Sequence, residues 1–103
     1  MRSVRFSITA NDQLNELLAQ GERHYSAALI DEKRRLVYVA IRRYIVPFPA
    51  ARVRDVDFGL YLYPVGKTPF VLVYEFDDVE VRIHFVLHKS TDRLALDPND
   101  VQW

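Results

Sequence analysis

The sequence predicts an α+β domain: an N-terminal strand, a two-helix hairpin, then a three-stranded antiparallel meander, with the helices packed on one sheet face. Three observations predict it. Apolar residues alternate with a period of two near the start and again after residue 58, and recur at three- and four-residue intervals in between. Turn-forming Pro, Gly and Asp residues mark several of the joins between these segments. The length of 103 residues, half of them hydrophobic, suits one domain over 1–103.

Each element follows from its own residues. In Ser3–Thr9, Val4, Phe6 and Ile8 alternate with polar neighbours, which reads as a strand with one buried face. Thr9 is positioned to cap a helix, with Asp12 in its first turn and Leu14, Leu17, Leu18 and Gly21 at helical spacing. From Ser26 to Val46 the apolar positions again fit a helix, stopped by Pro47. That segment is rich in β-branched residues, so a hairpin turning at Asp31–Lys33 is the alternative. Pro47 to Asp57 reads as a loop, Phe58–Val65 as a strand, Gly66–Pro69 as a turn, and Phe70–Phe76 as the next strand. A two-residue turn at Asp77–Asp78 pairs Phe76 with Val79, Tyr74 with Val81, Leu72 with Ile83 and Phe70 with Phe85. That register puts the apolar sets on one face and leaves Arg82, His84 and His88 on the other.

Composition narrows the chemistry. Without cysteine there is no disulfide, no thiolate nucleophile and no cysteine-ligated metal, which suits a reducing compartment. The N-terminus has no signal-like apolar region and no stretch reaches membrane-span length, so a cytoplasmic protein is expected. The zero net charge is asymmetric: residues 1–54 carry ten Lys/Arg against five Asp/Glu, and residues 55–103 carry four against nine. Lys33 to Arg54 holds seven basic residues and no acidic one, a segment suited to a nucleic-acid backbone or to an acidic protein surface. His84 and His88 on one strand stand about 13 Å apart at roughly 3.3 Å per residue, too far to share a metal. No metal site and no cofactor are expected. His88, at the strand end beside Lys89, Ser90 and Asp92, is the candidate acid/base. Arg82, His84 and Lys89, with Arg42 and Arg43 of the basic segment, are the candidate target- or RNA-binding residues.

Residues 58–92, with GLYLYPVG, FVLVYEFDD and VEVRIHFVLHKSTD, resemble the RelE/ParE superfamily of toxins from bacterial type II toxin–antitoxin modules. Residues 1–46 are similar in pattern only. The resemblance implies a small toxin held inactive by a cognate antitoxin. RelE-like members cleave mRNA in the ribosome, and ParE-like members poison DNA gyrase; the shared fold does not separate them. Where RelE-like nucleases keep an arginine and two lysines, this chain has Val71, Leu62 and Pro64, and Ser90 stands where a further basic residue is usual, with Lys89 adjacent. His88 matches a catalytic histidine of some nuclease members, and a histidine is also common there in ParE-like ones. ParE-like members usually have an arginine where this chain has Thr91. The expected function is therefore a ParE-like, non-enzymatic toxin that binds an essential target such as gyrase. The alternatives are a ribosome-dependent endoribonuclease using His88, and a non-toxic interaction domain on the same scaffold. Open sheet edges are expected to accept the antitoxin or to support self-association.

Overall fold

The first strand, β1 (Ser3–Phe6), ends where the Ser7 amide donates to Ile83 O at 3.0 Å, and a helix begins at once. That helix, α1 (Ile8–Gly21), is capped by Ser7, whose extended backbone presents its hydroxyl oxygen to the Ala10 amide at 2.8 Å. The cap therefore lies two residues before the predicted Thr9. Thr9 instead uses its hydroxyl to accept the Gln102 amide at 3.0 Å. Ser26 caps α2 (Ala27–Ala40), and the helical course continues through a π turn at Ile41–Ile45, where the Val46 amide reaches Ile41 O at 2.8 Å. Asp31–Lys33 lie inside this helix, so the hairpin alternative is excluded.

The computed structural model describes residues 1–51, 53–54, 59–91 and 97–103. Arg52, Phe58 and Asp92, named in the sequence reading, lie outside them, as do residues 93–96 of the tail. Among the described residues the sheet has five strands in the order β1-β5-β4-β3-β2, with β2 at Val53–Arg54, β3 at Tyr61–Pro64, β4 at Phe70–Phe76 and β5 at Glu80–His88. The predicted meander forms its middle. β1 adds to β5 in parallel, pairing Ser3 with Glu80 and Phe6 with Ile83, and β2 adds antiparallel to β3.

The β4–β5 register differs from the expected one, for two physical reasons. Asp77 closes the loop between β4 and β5 and is not its tip. Its carboxylate accepts the amides of Val79 and Glu80, each at 2.8 Å, and its own amide donates to Glu80 O at 3.0 Å. The turn tip therefore moves to Asp78–Val79, and Phe76 faces Val81 while Glu75 faces Arg82. The second reason is a bulge. Tyr74 pairs with Ile83 and Val73 with Phe85, so His84 is the extra residue.

That bulge reverses the alternation for the rest of β5. Val81, Ile83 and Val86 join Leu72, Tyr74, α1 and α2 in the main core, whereas Phe85 and Leu87 join Leu60, Leu62 and Val73 on the opposite face. The face shared by Val81, Ile83, Phe85 and Leu87 in the sequence reading is thus split in two. The helices do pack on one sheet face, as expected, but the other face carries a second apolar cluster, against which Val101 of the C-terminal segment packs. No described helix is long and apolar enough to cross a membrane.

Tyr74 marks the centre of the main core. It is fully buried, and its hydroxyl donates to Pro49 O at 2.6 Å, tying the sheet to the segment that follows α2.

Candidate functional site

The expected Arg82–His84–His88 surface does not exist as one surface. The bulge leaves Arg82 and His84 on the outer face and turns His88 toward the helices, next to Phe70. The three residues occupy different environments, each fixed by local contacts.

Arg82 is the hub of an ion-pair cluster at the hairpin end. Its Nε lies 2.9 Å from Glu75, and its Nη1 lies 2.8 Å from Asp77 and 3.1 Å from Glu80. Hydrogen bonding to Glu75, Asp77 and Glu80 raises the guanidinium's pKa further above its already high value. Arg82 thereby bridges the like-charged Glu75 and Glu80. Arg82 is thus committed to the hairpin and has little charge left for an RNA backbone.

In the same cluster, hydrogen bonding from Arg82 and from the Glu80 and Val79 amides lowers the Asp77 pKa from 3.8 to about 2. A carboxylate depressed on folding contributes stability that is fully present above its unfolded value and disappears as pH falls through its folded value. Thermal melts are therefore expected to show a steep loss of stability between about pH 4 and pH 2. Arg82→Met should be less stable at pH 7 and should flatten that slope. An unchanged slope in the variant would remove Arg82 as its cause.

His84 is buried. Its Nε2 lies 3.2 Å from Glu75 Oε1, but neither ring nitrogen makes an aligned hydrogen bond among the described residues. Burial pushes the Glu75 carboxyl up, but hydrogen bonding from Arg82, with the His84 ring close by, outweighs it and holds that carboxyl below its usual value. Trp103 covers the imidazole edge-on, with ring centroids 4.9 Å apart, and Arg5 stacks on Trp103 at 5.0 Å. The residue proposed from sequence as a contact for a target is instead sealed by the chain's own C-terminal segment.

His88 is half-buried at the end of β5. The Ser90 amide donates to its Nδ1 at 3.2 Å, and the Ser90 hydroxyl lies 2.7 Å from the same atom. An amide can only donate, so Nδ1 is an acceptor and the neutral ring carries its proton on Nε2. Lys89 is exposed, and its amide donates to Pro69 O at 2.8 Å. Arg42 and Arg43 project from the π turn, exposed and without ion-pair partners among the described residues. Arg42 borders a groove formed by Val4, Phe6, Tyr38 and Ile41, between β1 and the end of α2. The basic stripe is partly engaged within the helical hairpin, since Arg35 pairs with Glu32 on α2 and Arg34 donates to Asn15 of α1 at 3.1 Å. No group of three or more His, Asp or Glu residues suited to a metal is found among the described residues.

Two neighbours of His88 escaped the sequence reading. His24 and Lys33 line a cavity of about 280 Å³ together with His88, the end of α1 and the start of α2. His24 lies between the helices, Lys33 on α2 and His88 on β5, so nothing local in the sequence joins them. Only the folded hairpin brings them together. No family model matches the chain, and no curated protein matches it.

Proposed function

We propose that the chain is the toxin of a type II toxin–antitoxin module, of the ParE-like kind: a protein that arrests growth by binding an essential target such as DNA gyrase, and that a cognate antitoxin neutralises. The reading starts from the RelE/ParE-like run of residues 58–92 and rests on one observation about His88. Removing a proton from an RNA 2′-hydroxyl at Nε2 requires a lone pair on Nε2. The Ser90 amide bound to Nδ1 puts the neutral ring's proton on that very atom. The second requirement of RNA cleavage, cations to stabilise charge at the phosphate, is weakened by the commitment of Arg82 to three carboxylates. What remains suits binding: a groove beside Arg42 and the exposed edge strand β1, which offers unpaired backbone groups to an added antitoxin strand.

Induction of the chain without its antitoxin is expected to stop growth, raise a DNA-damage response and leave transcripts intact. His88→Ala should arrest growth to within about twofold of the parent. Transcripts cut at codons, together with loss of toxicity in His88→Ala, would establish the endoribonuclease alternative instead. Unimpaired growth under strong induction would leave the non-toxic interaction domain.

A further inference from the structure

We infer that the cavity between His24, Lys33 and His88 binds a small organic anion: a phosphate or carboxylate carried on a compact apolar body. The inference is independent of the toxin reading, since no step of it depends on a cellular target.

The chemistry of the walls is divided. The floor is apolar and comes from the main core: Leu17 and Leu18 of α1, Ile30 of α2 and Phe70 of β4. The polar groups at the rim include cations and donors: the Lys33 ammonium, the His24 imidazole and His88, whose neutral ring holds its N–H at Nε2. Among the described residues no carboxylate lines this cavity and Lys33 has no ion pair. Its Nζ instead rests 4.8 Å from the centroid of the Tyr25 ring, which holds the stem in place while leaving the charge unneutralised. In a chain with as many acidic as basic residues, a half-enclosed cavity with cationic and donor groups but no acid points to an anionic occupant. The volume of about 280 Å³ sets the size, room for one ring-sized group and its charged head. A smaller cavity that shares Leu17, Gln20 and His88 with this one is lined by Glu16, so the acid borders the neighbouring cavity and not this one.

Three histidines make the test direct, because two of their ring signals report the one candidate site and the third is an internal control. Phenyl phosphate, phenylacetate, inorganic phosphate and benzyl alcohol are titrated separately into the full chain while the histidine ring resonances are followed by NMR. Phenyl phosphate or phenylacetate should move the His24 and His88 signals saturably and together, with His84, buried beneath Trp103, stationary. The stronger of the two identifies the head group. Benzyl alcohol, which has the ring without the charge, and inorganic phosphate, which has the charge without the ring, should each bind at least about tenfold more weakly. Lys33→Met keeps the apolar stem and should weaken the best ligand by about tenfold or more; an unmoved His84 signal certifies that variant's fold, and His24→Gln serves as a second variant. The inference fails if neither aryl anion shifts both signals, if benzyl alcohol binds as well as the anions, or if Lys33→Met and His24→Gln both bind like the parent. None of these outcomes bears on toxicity, so the two readings stand or fall separately.

Discussion

Replacing Ser7 with alanine is expected to lower the unfolding free energy by about 2–3 kcal/mol, from about 1 kcal/mol for the lost helix cap and about 1–2 for an orphaned buried carbonyl. The side chain is fully buried and does two things at once. It accepts the Ala10 amide at 2.8 Å, and its hydroxyl proton goes to His84 O at 2.7 Å. Alanine leaves both groups unpartnered where water cannot replace the bond. Ser26→Ala is the matched control: it removes the cap of α2, but at an exposed position, so it should cost only about 0.5–1 kcal/mol. Urea unfolding of both variants measures the difference. Equal losses would mean that the tie from Ser7 to the bulge contributes nothing.

Trp103→Ala should be comparably damaging, at about 2–3 kcal/mol, below the ~3–5 kcal/mol of a fully buried large aromatic because this side chain is only half-buried. The indole covers the buried edge of His84 and takes the Arg5 guanidinium on its own face. Its removal exposes an imidazole that has no aligned hydrogen bond, together with the adjoining apolar cluster around Phe85. In a domain of this size the shift in melting temperature should be on the order of 10 °C. Trp103→Phe retains a ring over His84 and should recover about half of the loss. The His84 ring signal should move in the alanine variant, because the indole that packs edge-on against it is gone. A variant as stable as the parent would show that the C-terminal segment lies on the sheet without stabilising it.

These two positions mark where reading the sequence reached its limit. Both helices and the three central strands were legible because each is encoded by a local period, in Leu14, Leu17 and Leu18 for α1 and in Phe70, Leu72 and Tyr74 for β4. Long-range pairing has no such signature. That Ser3–Phe6 would join β5 in parallel depends on residues 80–83, and Val4, expected on a buried face, is left partly exposed at the sheet edge. The bulge was invisible for a different reason. V-R-I-H-F-V-L-H alternates well enough to look like an uninterrupted strand, and only Val86, apolar among the supposed polar positions, hinted that the phase changes. The one extra residue of the bulge, His84, moves His88 to the helix face, lies itself beneath Trp103 and disperses a surface that the sequence draws as continuous. The turn failed by one residue because Asp77 was taken as a loop former, whereas its carboxylate organises the loop from the strand side.

The parallel pairing of β1 with β5 has a consequence for the order in which the molecule is made. The hydrogen bond from Ser7 to His84 spans 77 positions, and the one joining Thr9 to Gln102 spans 93. During translation the first strand emerges early and finds no neighbour, while the helical hairpin is already free to form from nearby contacts. The sheet can close on that side only when residues 80–83 have left the ribosome, and the outer face can be covered only after residue 103 has been added. Until residues 80–103 are available, the nascent chain carries an uncovered apolar surface on that sheet face and an unpaired first strand.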